Sequence, residues 1–141
     1  MRFFLFGLFV LATFSSYAQD VTPVTVPAKA VAQLEKIRKQ TQVIREVGKK
    51  GSALPAETRP ILNKILVQSA TDFLAITKRK AGPTKEAYYQ SLDAMLVRLN
   101  PLVPQLEDRQ QVAEYYQDLL DIVGIDSSEG RLTSFVEGAV N

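Results

Sequence analysis

Glycine and proline cut this chain into stretches of helical length, and inside each stretch apolar residues recur every three or four positions. That pairing of breaks and period leaves little room for anything but amphipathic helices packed on one another. Leu34, Ile37, Thr41 and Ile44 form a first stripe, closed by Gly48 and Gly51. A second helix begins near Thr58 or Pro60, with Leu62, Ile65, Leu66, Ser69, Phe73 and Ile76 on one face. Val67 and Leu74 fall off that stripe and are expected at the surface. Lys78-Arg79-Lys80 occupies the last turn, where cations complement the helix dipole, and Gly82-Pro83 ends it. Thr84 is placed to cap a third helix whose buried face is Tyr88, Leu92, Met95, Leu96 and Leu99. Asn100-Pro101 and Pro104 break the chain again. A fourth helix spans 107–123, with Val112, Tyr116, Leu119 and Val123 inward and Gly124 as its stop. Asp126 and Glu129 have the spacing of an acidic capping box that opens a fifth, short helix around Leu132, Phe135 and Val136.

Outside residues 20–26, where Val and Thr alternate around Pro23, no segment has a period of two. The expected fold is therefore all-α: an antiparallel up-down four-helix bundle with a short C-terminal fifth helix. The bundle domain is expected over 27–138, behind an extended leader at 19–26.

The first 18 residues have the pattern of a secretory signal peptide. Arg2 is a short positive start, residues 3–13 are an apolar run, and Ser16-Tyr17-Ala18 supplies the small residues that a signal peptidase reads. The run is shorter than the roughly 20 apolar residues that span a bilayer. The expected mature protein is soluble, in a bacterial periplasm or outside the cell, with no stable membrane span after cleavage.

The chain has neither cysteine nor histidine. This removes disulfides, thiolate chemistry, imidazole bases and metal sites built on sulfur or imidazole. Any chemistry must come from carboxylates, Lys, Arg, Tyr, Ser or Thr. Glu114, Asp118 and Asp121 share one stripe of the fourth helix, with Asp126 and Glu129 close by in sequence. Asp118, Asp121, Asp126 and Glu129 are the candidate ligands for a hard cation, or an acid–base pair for a carboxylate-based enzyme. Residues 126–137 have the length of a calcium loop, but Arg131 stands where its glycine belongs and Gly130 where a ligand belongs. A solvated helix face is the simpler reading. No cofactor is expected.

Charge is unevenly divided. Residues 29–85 hold 13 basic and 4 acidic side chains, and residues 86–141 hold 3 basic and 10 acidic. The basic half invites a reading as a binder of anionic surfaces. The favoured reading is mutual neutralisation: Lys78-Arg79-Lys80 facing Asp118, Asp121, Asp126 and Glu129 at one end, and Lys49, Lys50 and Arg59 facing Glu107 and Asp108 at the other. Glu35–Lys39 and Glu46–Lys50 have the spacing of helix surface pairs. No aromatic platform is interleaved with the basic residues, so nucleic acid is not an expected partner.

Pro83-Thr84-Lys85-Glu86, Tyr115-Tyr116 with the run 119–125, and Ser127-Ser128-Glu129-Gly130 with Leu132 and Phe135 together resemble a bacterial family of small helical domains of unknown function, over residues 58–137. Glu137-Gly138-Ala139 departs from the aromatic-glycine ending of that family. The resemblance implies a helical domain and no catalytic residue. The function expected is that of a non-catalytic binding protein with a protein partner in the envelope or outside the cell. The exported product should begin at Gln19, which intact-mass spectrometry of the secreted or periplasmic fraction checks. A product retaining Met1 would remove the signal-peptide reading.

Overall fold

A computed structural model of the chain describes residues 21–40 and 54–138. The proposed signal segment and its cut after Ala18, Thr41, Ile44, Gly48, Lys49, Gly51, the Glu46–Lys50 pair and Ala139 lie outside the described residues.

The described residues are helical: α1 (Ala30–Arg38), α2 (Thr58–Thr77), α3 (Lys85–Leu99), a 3-10 turn (Asn100–Leu102), α4 (Leu106–Ile122) and α5 (Arg131–Val136). Among them, extended pairing is limited to one isolated antiparallel bridge between Pro23 and Thr84. The all-α expectation holds. Thr84 caps α3 as its sequence position implied, its hydroxyl accepting the Ala87 amide at 3.2 Å. Gly124 ends α4 in the left-handed region, at φ +85°.

One continuous core contains Leu34, Leu62, Leu66, Phe73, Leu92, Leu99, Tyr116 and Leu119, all expected there. The leader joins it at Val24. The Val24 amide donates to the Pro83 carbonyl at 3.1 Å, and the Lys85 amide donates to the Thr22 carbonyl at 2.9 Å. The leader then crosses Gly124 so closely that a Cβ there would stand 3.0 Å from the Thr25 carbonyl oxygen. Glycine is needed at 124 both for its positive φ and for this crossing.

Four local expectations are corrected. First, α1 stops at Arg38 instead of running on to Gly48. Second, Leu74 is buried, because α1 and α3 both pack on α2 and widen its apolar stripe. Third, Asp126 and Glu129 do not cap α5. Glu129 (φ 53°) and Gly130 (φ 85°) form a left-handed turn instead, and the serines satisfy the amides: Ser127 Oγ accepts from Glu129 N at 3.0 Å, and buried Ser128 Oγ accepts from Leu132 N at 3.3 Å. Fourth, Glu35 pairs with Arg38 and with Lys78 at 3.4 Å, in place of the expected Lys39. With α1 lying on α2, Lys78 at the end of α2 pairs with Glu35 of α1. Despite the departure at 137–139, Phe135 of α5 is fully buried.

Phe73 is fully buried on α2 while Val67, on the same helix, is half-buried. Phe73→Ala should cost about 3–5 kcal/mol and Val67→Ala well under that. Urea unfolding of the two variants checks this, and equal losses would mean that α2 is buried all round.

Candidate functional site

The outer stripe of α3 runs Lys85, Tyr89, Asp93, Val97, each four residues on from the last and so stacked along one face. The turn into α5 brings Glu129 and Arg131 against it. Lys85 Nζ donates to Glu129 Oε1 at 2.7 Å, and Arg131 Nε donates to Asp93 Oδ1 at 3.0 Å. The second Glu129 oxygen lies 3.8 Å from the same guanidinium. The Arg131 guanidinium covers the Tyr89 ring at 4.0 Å, with Lys85 Nζ at 5.5 Å from the ring centre. The Tyr89 hydroxyl donates to the Ser127 carbonyl and ties the cluster to the α4–α5 connection.

Two shallow recesses flank Arg131. One, of about 480 Å³, has Leu96 and exposed Val97 beside Asp93, Glu129, Gly130, Arg131 and Ser134. The other, of about 420 Å³, includes Thr22 of the leader with Lys85, Glu86 and Tyr89. There the Thr22 amide donates to both Glu86 carboxylate oxygens, at 3.0 and 3.1 Å.

The electrostatics follow from these contacts. The hydrogen bond from Lys85 holds the Glu129 carboxyl below its ordinary value, and the same bond holds the Lys85 ammonium above its own. Glu86 is lowered by its own backbone amide and then by Thr22. Burial pushes the Tyr89 hydroxyl up, so it stays protonated at neutral pH. Each charge is matched by a neighbour and the phenol is engaged as a donor. The arrangement is suited to recognition through a charged rim and a small apolar floor.

The acidic residues singled out in the sequence are not gathered into one site. Asp118 sits on α4 and is raised by partial burial, then by Asp121 and Glu114. Asp121 accepts from Gln117 Nε2 at 2.8 Å, and Gln117 also donates to the Asp126 carbonyl at 3.2 Å. Glu129 is turned away to Lys85 and Arg131. Among the described residues no three carboxylates are grouped as a metal would need.

Sequence reasoning missed the Tyr89–Arg131 stack, which joins residues 42 apart in sequence. Only the four-residue spacing of Lys85, Tyr89 and Asp93 hinted at it. Tyr115 is buried, and its hydroxyl donates to the Leu66 carbonyl. Tyr116 bonds Ser69 at 2.6 Å, and Tyr88 bonds Thr77 at 2.8 Å.

The family model for the domain of unknown function DUF4844 matches residues 25–140. The chain belongs to the DUF4844 family. The match extends the resemblance seen from residue 58 onward back through α1 to the last two residues of the leader. A solved structure, the crystal structure of a DUF3571 family protein from Acinetobacter baumannii AYE at 1.95 Å resolution, is similar at 33% identity with a TM-score of 0.64. The similarity covers 77% of this chain and 89% of that one. No curated protein matches.

For this DUF4844 chain the lowered carboxyls fix the sign of its acid response. Glu35, Glu86 and Glu129 each have folded values below the ordinary 4.5. Their contribution is fully present above that value and is lost as pH falls through the lower folded values. Asp118, raised in the fold, acts in the opposite sense. With no histidine to titrate, the urea midpoint should be flat between pH 6 and 8 and fall below pH 4.5. The double variant Glu86→Gln, Glu129→Gln should show a shallower fall. An equally steep one would mean that other groups set the acid limb.

Proposed function

We propose that this DUF4844 protein is an exported, non-catalytic interaction protein whose α3–α5 face meets a protein partner in the periplasm or outside the cell. In this reading residues 1–18 direct export and are removed, 19–26 are the leader, and 27–138 are the helical domain. The helices alternate in direction, up and down. Support for that arrangement comes from the two turns: Tyr88 near the start of α3 bonds Thr77 at the end of α2, and Arg109 near the start of α4 donates to Asn100 just past α3 at 2.7 Å. No described helix is long and apolar enough to cross a membrane.

The observation that carries the binding reading is exposed Val97 at the end of a stripe of paired charges. Val97 is 48% exposed beside Leu96 and next to Asp93, Glu129 and Arg131. An apolar spot within a charged rim is the usual anatomy of a small contact surface. The buried tyrosine hydroxyls, by contrast, are engaged inside the fold, with burial pushing Tyr115 and Tyr116 far above their ordinary value and away from acid–base use. The charges of the basic half also have local uses, Lys78 with Glu35 and Lys85 with Glu129.

A photo-crosslinking side chain at position 97, in protein expressed with its signal segment, should capture a polypeptide from the envelope or the medium. The same group at Gln68 on α2 should not, and Arg131→Glu should abolish capture from position 97. Equal capture from both positions would exclude the α3–α5 face as the contact.

A further inference from the structure

α4 and α5 have two cations between them, Arg109 and Arg131, and the fold turns both away from the groove that the two helices enclose. The Arg109 guanidinium donates to the Phe135 carbonyl at 2.6 Å and to Asn100 Oδ1 at 2.7 Å. Arg131 meets Asp93 and Glu129 on the other side of α5. The carboxylates on the outer stripe of α4 are left with one another. Among the described residues Glu114 and Asp118 have no ion pair, and Asp121 accepts from the neutral amide of Gln117. Partial burial raises Asp118, and the charges of Asp121 and Glu114 raise it further, as happens where carboxylates lack a nearby cation.

This stripe borders an apolar recess. A groove of about 570 Å³ runs between α4 and α5, floored by Ala113, Leu132 and Val136 and rimmed by Glu114 and Glu137. Leu132 is buried, and Ala113 and Val136 are partly buried against the core. Both rim carboxylates are exposed. The two sides of α5 therefore differ. Toward α3 each charge has an opposite neighbour, while toward α4 an apolar floor lies between carboxylates of one sign.

A groove of this make favours one kind of occupant. Side chains over the floor must be apolar, and those over the rim must be cationic, since a like charge beside an unneutralised carboxylate is repelled. One helix with apolar residues on one face and Lys or Arg along its edges meets both demands, as helices seated in grooves do. The long stems of Lys and Arg add apolar cover of their own. Glu114, Asp118 and Asp121 stand at steps of four and three and span about 10 Å of α4. Cations at the same steps on a helix laid alongside would meet them in turn. A metal ion is a poorer match, because among the described residues no three carboxylates are grouped around one point.

We infer that the α4–α5 groove docks a cationic amphipathic helix of a protein partner. The surface is separate from the α3–α5 face proposed above, and cross-linking from position 97 reads that other face alone.

The test is fluorescence anisotropy with the full chain and a labelled peptide of Leu and Lys at helical spacing, about four turns long. The peptide should bind one to one. Glu114→Gln with Glu137→Gln should weaken binding about fivefold to tenfold, the worth of two pairs at an exposed rim. Val136→Ser, with helical content checked by circular dichroism, should weaken it about fivefold by removing part of the floor. Glu57→Gln with Asp72→Asn removes two carboxylates from α2 and its cap and should change binding by less than about twofold. Equal weakening by the two acidic pairs would reduce the contact to general attraction and overturn the groove. Spermine, or a peptide of Ser and Lys, bound as tightly as the Leu–Lys peptide would leave a cation site without helix docking, and a Leu–Glu peptide bound as tightly would remove the charge complementarity. Sedimentation of the chain alone covers the remaining occupant: self-association that Glu114→Gln with Glu137→Gln abolishes would put a second copy in the groove in place of a partner. A Leu–Lys peptide that does not bind overturns the inference outright.

Discussion

Hydrogen bonds from tyrosines into α2 set how the rest of the protein is arranged. Ser69 Oγ donates to the Ile65 carbonyl at 2.9 Å, and Thr77 Oγ1 donates to the Phe73 carbonyl at 2.8 Å. Each hydroxyl has one proton, and in both cases it points back along the helix. Tyr116 is therefore the donor to Ser69, and Tyr88 the donor to Thr77. With Tyr115 donating to the Leu66 carbonyl, three phenols from α3 and α4 converge on acceptors of a single helix. Apolar packing alone tolerates a slide of one helix along another. A buried phenol that loses its acceptor does not, because an unpaired polar group in the core costs about 1–3 kcal/mol.

Once α3 is fixed through Tyr88, its neighbour Tyr89 is carried about a quarter turn around the helix, toward α5. There the ring is covered by Arg131, and its hydroxyl reaches Ser127. The adjacent pair on α4 divides differently, since both Tyr115 and Tyr116 reach α2. The Thr84 cap holds the start of α3 in the position that receives the leader, and Glu86 in the first turn accepts from Thr22. The cluster near Lys85 and the docking of the leader thus share one cause, the placement of α3 on α2.

Much of this was legible in the sequence where the signal is local. The Thr84 cap, the Gly124 stop and the inward stripes of α2 to α4 follow from residue type and helical period, and the structure has them. The errors arise where the partner is remote in sequence. Leu74 looked exposed because a helical wheel cannot know that two helices flank α2. Buried Leu54, Val103 and Ile125 lie in connections, where no period operates. Lys78 was assigned to α4 because the position of α1 was unknown. The capping box failed because Glu129 has a stronger use in Lys85, and serine hydroxyls took over the amides. The Tyr89–Arg131 cluster depends on an α3–α5 juxtaposition that spacing within α3 alone does not specify.

The most direct test of this account is equilibrium urea unfolding of Tyr88→Phe, Tyr115→Phe and Tyr116→Phe, with Ser69→Ala and the Ser69→Ala, Tyr116→Phe pair completing a double-mutant cycle. Each phenylalanine keeps the ring and removes only the donor. Each single variant should lose about 0.5–1.5 kcal/mol with an unchanged denaturant slope, and the cycle should show favourable coupling between Ser69 and Tyr116. Full stability in all three tyrosine variants, with no coupling in the cycle, would contradict the claim that donors from α3 and α4 position those helices on α2.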